Sequence, residues 1–284
     1  MTDRTVVLAV DDATPTLTAD DRALANALVQ RGVGVEPVVW GSRRPHHETV
    51  VIRSTWDYVS RPARFREWLD ELDDDGVVVH NSTDLIRWNM HKGYLGELAD
   101  RSVPVVSTAL VERGSSVGLD EVMTAHGWES AVVKPAIGAT ARHTIRVDGS
   151  HRTEAVEHFR RLVAAEDVLV QPFVQSITTE GEVSIVAIGG TPSHVVHKRP
   201  QVGEWRVQSD FGGTIDRLAM TDEYAAAALT ALAAVDGNPA FARVDVVRFD
   251  GQLHLMELEL IEPDLFFRLA PEAADALADL ITGV

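Results

Sequence analysis

Two short segments near the C-terminus alternate between polar and apolar residues, and this period of two constrains the fold more than any other feature. The segments are 242–247, with the sequence ARVDVV, and 255–260, with the sequence LMELEL. Successive side chains of a β-strand point to opposite faces of a sheet, so Glu257 and Glu259 share one face while Leu258 lies on the other. The sequence therefore predicts two neighbouring strands that carry carboxylates on one face of a sheet.

The length of the turn decides whether Asp245 lies on the same face. A two-residue turn at Asp250 and Gly251 would pair Asp245 with Met256 and place the carboxylate on the apolar face. A three-residue loop over 249–251, with a left-handed glycine, shifts the register by one residue. We expect the three-residue loop, which brings four charged residues to one face: Arg243, Asp245, Glu257 and Glu259.

Three crowded carboxylates would repel one another and raise one another's pKa values. One or two Mg²⁺ ions, with Mn²⁺ as a substitute, would relieve the repulsion, because Mg²⁺ takes oxygen ligands and commonly binds a few carboxylates together with substrate phosphates. The same residues also fit a solvated sheet face with Arg243 as counter-ion. The metal site is our first hypothesis for Asp245, Glu257 and Glu259.

The composition excludes several classes of protein. A formal net charge of −17 argues against a sequence-independent grip on nucleic acid and against adhesion to anionic membranes. The absence of cysteine excludes disulfides, thiol catalysis and cysteine-bound zinc. The apolar run 6–10 is too short for a signal sequence and no segment is long enough to span a membrane, so we expect a cytoplasmic protein. His46 and His47 are expected in a loop.

Residues 1–103 are predicted to form an α/β domain, with strands near 5–10, 33–40, 49–53 and 77–80. Thr18 begins a helix that Gly32 ends, and a second helix runs from Asn81 or Ser82 through Leu98. The chain has no GxGxxG after its first strand and no GxxxxGK[ST] motif, which argues against a dinucleotide fold and a P-loop NTPase.

After residue 105 the pattern changes to an α+β arrangement, with a lysine at the end of a predicted strand. Lys134 follows the apolar strand 131–133, where its ammonium group is able to reach a phosphate, although a surface lysine gives the same pattern. In the run Gln171-Pro172-Phe173-Val174, proline removes a backbone donor, which leaves neighbouring amides for a ligand. The end of an edge strand explains this run equally well.

A predicted hairpin and a glycine loop complete the second half. Strands near 182–188 and 194–198 deliver Lys198 and Arg199 at the end of the hairpin. The following loop contains Gly212 and Gly213, whose backbone amides would suit a polyphosphate, but a plain turn is an equally simple explanation.

The order of these features resembles the ATP-grasp superfamily: a strand-end lysine, the QPFV run, a two-glycine loop, RVD and then MELExxEP. The resemblance covers about residues 90–265 and implies two α+β lobes, 104–174 and 175–284, with ATP between them. It implies that Lys92 and Lys134 bind the phosphates, that the backbone of Phe173 and Val174, beside Gln171, lies at the adenine, and that Glu182 lies near the ribose. Asp245, Glu257 and Glu259 would hold Mg²⁺, although the family usually has Asn where this chain has Glu259.

The N-terminal segments 53–58 and 88–95 are similar to those of the cyclo-ligase that closes O-ureido-serine into cycloserine. Arg53 at a strand end is suited to binding a substrate carboxylate, and Trp56 and Tyr58 to walling a small pocket. Asp57 would meet an ammonium group. Ordinary packing or capping roles remain open for Trp56, Asp57 and Tyr58.

The resemblance implies an ATP-dependent carboxylate–amine ligase that acts on a small amino-acid-like substrate through an acyl phosphate and releases ADP and phosphate. Lys198 and Arg199 would stabilise the transferred charge, and Arg243 would hold the acyl phosphate. The open alternatives are intramolecular ring closure, a kinase-like phosphotransferase and a non-catalytic nucleotide-binding module. The sequence leaves the identity of the substrates open, and also whether the chain is a monomer or a homodimer.

Overall fold

The computed structural model describes residues 4–45, 48–149, 152–208 and 211–284. The predicted loop residues His46 and His47, and residues 209 and 210 of the glycine loop, lie outside these ranges. The described strands form three sheets, which fall within residues 5–80, 109–172 and 182–259. No helix in the described ranges combines the length and the apolarity needed to cross a bilayer.

The first sheet is parallel, with the strand order β2-β1-β3-β4. The side chain of Thr18 accepts a hydrogen bond from the backbone of Asp21, which caps the first helix as the sequence predicts. The elements of this region are β1 (Thr5–Val10), α1 (Ala19–Gln30), β2 (Gly34–Val39), β3 (Thr49–Ser54), α2 (Pro62–Asp74), β4 (Val78–His80), α3 (Thr83–Asn89) and α4 (Tyr94–Asp100).

The prediction of a single helix from residue 81 or 82 to Leu98 is wrong, because the helix is interrupted between α3 and α4. The interruption, 90–93, is held by tertiary contacts: the Lys92 N–H donates to the Ala136 carbonyl at 2.8 Å. This break brings the Lys92 side chain to the metal face predicted on the third sheet, where it reaches Glu257.

The second sheet is antiparallel, with the order β5-β8-β6-β7. Lys134 lies one residue before the end of β6, as predicted, and Gln171 and Pro172 end β8. The elements are β5 (Ala109–Val111), α5 (Leu119–His126), β6 (Ala131–Pro135), β7 (Ile145–Val147), α6 (Arg152–Ala165), β8 (Val168–Pro172) and the short α7 (Ser176–Thr179).

The third sheet is antiparallel, with the order β11-β10-β9-β12-β13, so β13 is an edge strand. The last helix, α9, packs on α1 and joins this sheet to the N-terminal region in one apolar core. The elements are β9 (Glu182–Ile188), β10 (Thr191–Arg199), β11 (Thr214–Leu218), α8 (Asp222–Ala233), β12 (Phe241–Phe249), β13 (Gln252–Glu259) and α9 (Pro271–Thr282).

The register of the β12–β13 hairpin differs from the prediction at the turn and at the carboxylates, and only the face that the carboxylates share agrees with it. Phe249 pairs with Gln252, so the turn has two residues, Asp250 and Gly251, both with positive φ. A β-bulge then shifts the register, with Met256 as the extra residue. The three-residue loop is therefore wrong, but the predicted shared face is confirmed because the bulge restores it. The facing pairs are Arg243 with Glu259 and Asp245 with Glu257.

Candidate active site

A cavity of about 570 Å³ lies where residues of the three sheets meet. The chain contains only three lysines, Lys92, Lys134 and Lys198, and all three line this cavity. Most residues that the sequence singled out are in the same wall. Besides the lysines they are Arg53, Trp56, Gln171, Phe173, Val174, Glu182, Arg243, Asp245, Glu257 and Glu259.

Arg243 lies between two of the predicted metal ligands. Its guanidinium contacts Asp245 at 3.0 Å and Glu259 at 2.6 Å. Lys198 pairs with Glu182 and lies 3.4 Å from Asp245, which also accepts a hydrogen bond from Ser184. The carboxylates and cations of this face therefore alternate in space.

The pKa values follow from these contacts. Burial alone would raise the pKa of Asp245, but Arg243 and Lys198 outweigh burial and hold it at about 2. Burial raises the pKa of Glu259 to about 7, and the charges of Glu257 and Asp245 add to the effect of burial while Arg243 opposes it. The cations of the site therefore compensate the charge of Glu259 only in part.

The carboxylates do not form a ready-made metal cage. Within the ranges that the structure describes, no group of three or more His, Cys, Asp or Glu side chains is arranged to hold a metal ion. The donor chemistry nevertheless fits a hard cation, since Asp245 and Glu257 face each other across the strand pair and Glu259 is only partly neutralised. A metal ion that brings phosphate oxygens with it would suit such a partial site.

Two lysines of the cavity differ in their partners. Lys92 contacts Glu257 at 2.9 Å and donates to the Gly138 carbonyl. Burial lowers the pKa of Lys134 below its ordinary value, and no ion-pair partner of Lys134 is found in the described part of the chain. Lys134 is therefore a half-buried cation suited to an incoming anion.

The wall formed by the end of β8 is apolar and has unused backbone groups. The Phe173 N–H donates to the Ser130 carbonyl, and the Val174 carbonyl accepts from the Ile177 N–H. In the described residues this leaves the Phe173 carbonyl and the Val174 N–H, an adjacent acceptor and donor, for a ligand edge. Gln171 donates to the Thr108 hydroxyl at 2.8 Å, so its amide has a local partner.

The opposite end of the cavity is lined by the N-terminal region. Arg53 is 2% exposed, pairs with Asp21 at 2.9 Å and donates to the Pro263 carbonyl at 3.0 Å. Its Nη1 atom has no partner among the described residues. Trp56 also lines this end. A buried guanidinium nitrogen without a partner suits a ligand oxygen.

Besides Gly212 and Gly213, three predicted site residues lie outside the cavity wall. Asp57 accepts a hydrogen bond from Trp40 and pairs with Arg61, and Tyr58 is buried in the aromatic core. Arg199 is at the exposed end of β10, where it pairs with Asp216 at 3.2 Å. The structure thus gives these side chains local partners in place of the predicted substrate and catalytic contacts.

The predicted glycine loop lines the cavity through residues other than its two glycines. A Cβ on Gly212 would lie 2.2 Å from the Gln201 side chain, and one on Gly213 would lie 2.2 Å from the Val207 carbonyl, so these glycines allow the loop to pack on itself. The loop lines the cavity with Trp205, Arg206, Val207 and Gln208.

Sequence reasoning missed several residues of the cavity wall. Glu262 belongs to the MELExxEP segment but had no assigned role. Ser184 is not part of the wall but donates a hydrogen bond to Asp245, and its position two residues after Glu182 on the same strand face would have identified it. Asp20, Asp264 and Arg268 meet only through the packing of α1 against the segment after β13, and no local pattern indicates this.

Comparisons with known proteins give a consistent result. Residues 6–81 match the family described as the D-cycloserine synthetase DcsG, N-terminal domain. The cycloserine biosynthesis protein DcsG of Streptomyces lavendulae is 32% identical over 239 residues, which cover 80% of each chain. The crystal structure of D-cycloserine synthetase DcsG superposes with a TM-score of 0.85 at 30% identity, covering 98% of this chain and 99% of that one.

A more distant structure agrees in fold. D-alanine–D-alanine ligase from Bacillus anthracis matches with a TM-score of 0.70 at 12% identity, over 99% of this chain and 96% of that one. At this identity the likeness concerns the fold alone.

Proposed function

This chain belongs to the ATP-grasp ligases of the D-cycloserine synthetase family, which form carbon–nitrogen bonds, and on that premise we propose its reaction. ATP phosphorylates a carboxylate of a small amino-acid-like substrate, a nitrogen atom attacks the acyl phosphate, and ADP and phosphate are released. The observation that carries this proposal is a single cavity that holds all three lysines, the β12–β13 carboxylates, Arg243 and Arg53.

In this proposal ATP lies between the second and third sheets, which belong to lobes of residues 104–174 and 175–284. The Phe173 carbonyl and the Val174 N–H meet the adenine edge, and Glu182 lies near the ribose. Lys134 and Lys92 bind the phosphates. Lys134 supports this assignment because it is a half-buried cation that forms no ion pair with any described carboxylate.

Asp245, Glu257 and Glu259 would hold one or two Mg²⁺ ions. The bound metal supplies neutralisation of the phosphate charge. If Glu257 binds the metal ion instead of Lys92, the Lys92 ammonium becomes free for a phosphate oxygen. If Glu259 also binds the metal ion, Arg243 is freed from its ion pair with Glu259 in the same way. The alternating charges of this face are thus suited to re-pairing when a polyanion arrives.

Arg243 and Lys198 are placed to hold the acyl phosphate, since both line the cavity beside Asp245. Their positive charges would stabilise the oxygens that gain charge during phosphoryl transfer and during loss of phosphate. Trp205 and Arg206 of the loop between β10 and β11 would exclude water, which otherwise hydrolyses the activated carboxylate. The chemistry needs no covalent nucleophile from the protein.

Arg53 and Trp56 would define the substrate end, with Arg53 binding a carboxylate through its unpartnered nitrogen. The sequence alone favoured joining of two molecules. The likeness to D-cycloserine synthetase now extends over 98% of the chain and favours intramolecular ring closure as the second, narrower candidate. In that case the attacking nitrogen and the activated carboxylate belong to one substrate.

The test is to incubate the protein with ATP, Mg²⁺ and either enantiomer of O-ureido-serine, and separately with pairs of amino acids. ADP and phosphate with a ring product support ring closure, and ADP with a new amide supports intermolecular ligation. A stable phosphorylated product would support a kinase-like enzyme, and no ADP with any substrate would contradict the proposal. Asp245→Asn and Glu257→Gln should abolish turnover, whereas Glu223→Gln on the exposed side of α8 should not.

A further inference from the structure

Glu262 is a buried carboxylate of the cavity wall that the proposed reaction leaves without a task. It is 9% exposed and lies three residues after the end of β13. In the described residues its carboxylate accepts a hydrogen bond only from its own backbone N–H and forms no ion pair, although the side chain lines the cavity. A buried carboxylate without a partner is costly, so such a group indicates a ligand that donates hydrogen bonds.

The two residues that follow Glu262 in the chain have hydrogen-bond and ion-pair partners of their own, and none of these partners is shared with the Glu262 carboxylate. The Pro263 carbonyl accepts from Arg53, and the Asp264 carbonyl accepts from Arg243 at 3.3 Å. The Asp264 side chain pairs with Arg268 at 3.0 Å. The segment is therefore fixed by these three contacts of its backbone and side chains, and Glu262 is held against the cavity without a cation of its own.

Electrostatics agrees with this geometry. Burial raises the pKa of Glu262 to about 8, and the negative charges of Glu259 and Glu257 act in the same direction while Lys92 opposes them. The surroundings thus lack positive charge at this point. A positively charged ligand group would restore the balance.

The position of Glu262 is at the substrate end. Ile261 packs into the apolar core of the N-terminal sheet, beside Tyr58, and the charge of Glu262 is the largest electrostatic influence on the Tyr58 phenol. By contrast, the residues that we assign to the nucleotide belong to the region of the second sheet: Lys134 lies in β6 and Phe173 directly follows β8.

We propose that Glu262 binds the amino group of the substrate, as a primary ammonium, opposite the carboxylate that Arg53 binds. This inference rests on the proposed function and narrows the substrate to a zwitterionic amino acid. An ammonium group provides three hydrogen-bond donors and a single charge, which matches one isolated carboxylate. A divalent ion needs several oxygen ligands, which a single carboxylate does not supply.

The experiment measures binding without turnover. Serinamide carries an ammonium group and no carboxylate, and 3-hydroxypropanamide is the same molecule without the ammonium group. Both are titrated into the wild type, Glu262→Gln and the control Glu223→Gln, with ligand-observed NMR and tryptophan fluorescence. We expect serinamide to bind about tenfold or more weakly to Glu262→Gln, because a charge-assisted hydrogen bond is lost, with no change in Glu223→Gln.

Equal affinity of serinamide for the wild type and Glu262→Gln would overturn the inference, and so would a wild type that does not distinguish the two amides. A Mg²⁺ titration of the same variants is the third arm. If Glu262→Gln weakens Mg²⁺ binding and leaves serinamide binding unchanged, Glu262 is a metal ligand and the inference is wrong. ADP formation is measured separately, so a failure of the proposed ligase reaction is distinguishable from a failure of the ammonium site.

Discussion

The Tyr94 hydroxyl bonds both polar groups of the Leu258 backbone: it donates to the Leu258 carbonyl at 2.8 Å and accepts from the Leu258 N–H at 3.0 Å. The Asn89 side chain likewise donates to the Leu258 carbonyl and accepts from the Leu260 N–H, both at 2.8 Å. β13 is an edge strand, so these groups would otherwise lack partners. Helices of the N-terminal region thus fix the strand that carries Glu257 and Glu259.

Tyr94→Phe should lower both stability and turnover. The substitution removes two hydrogen bonds and leaves a buried N–H and a buried carbonyl less satisfied, which costs roughly 1–3 kcal/mol of the free energy of unfolding. Urea denaturation measures the loss, and kcat of the ligase reaction should fall because Glu257 and Glu259 lose their fixed position. Tyr224→Phe on α8 is the matched control, and equal losses in both variants would contradict the argument.

Two lysines of the cavity should respond oppositely to substitution by methionine. Lys134→Met removes a half-buried cation that has no carboxylate partner in the described residues, so the ligand-free protein should keep or gain stability. Lys198→Met leaves Glu182 without its cation and Asp245 with Arg243 alone, and should cost on the order of 3 kcal/mol.

Thermal denaturation of the two lysine variants measures this contrast, and ADP titration checks the role of Lys134. Lys134→Met should weaken ADP binding by about tenfold or more, since a charge-assisted contact to phosphate is lost. A large stability loss in Lys134→Met with unchanged ADP affinity would show that the lysine is structural.

The sequence predicted the carboxylate face but not the way the chain achieves it. Alternation along β12 and β13 identified Glu257 and Glu259, because period two is a local property. The bulge at Met256 is not visible in the sequence, since either turn length is compatible with Asp250 and Gly251. The predicted turn length is therefore wrong, and the predicted face of the carboxylates is correct.

Contacts between distant segments account for the rest. Arg53 was identified from its place at a strand end. Tyr58, five residues later, packs into the aromatic core, and a tyrosine in the sequence does not by itself reveal this. The interruption between α3 and α4 places Lys92 beside Glu257. It is held by a backbone hydrogen bond from Lys92 to Ala136, which directly follows β6 of the second sheet. Such placements depend on tertiary packing rather than on local pattern.

Mg²⁺ binding should depend on pH through Glu259. Its pKa is raised to about 7, so below that pH the carboxyl group carries a proton and is a poor ligand. In the presence of ADP, the Mg²⁺ affinity of the wild type should therefore rise between about pH 6 and about pH 8. Glu259→Asn has no such proton, and calorimetry should show a flatter pH dependence. The same slope in both proteins would remove Glu259 from the metal site.

The pH dependence of stability should report Glu262 directly. Its pKa is raised from 4.5 to about 8 in the folded protein, so between these pH values the folded state binds more protons than the unfolded state. The free energy of unfolding therefore falls as pH rises through this window, by on the order of 4 kcal/mol at most from this group. Glu262→Gln cannot ionise and should lose less stability than the wild type over the same range.

Urea denaturation of the ligand-free proteins at about pH 5 and about pH 8 measures this difference, which should appear as a larger relative stability of Glu262→Gln at the higher pH. The raised pKa of Asp20 acts in the same direction, but it is present in both proteins and so cancels in the comparison. Glu223→Gln, which changes an exposed carboxylate of α8, should follow the wild type at both pH values. If Glu262→Gln also parallels the wild type, the Glu262 carboxylate is stabilised in the folded protein and is not the uncompensated charge that an ammonium group would bind.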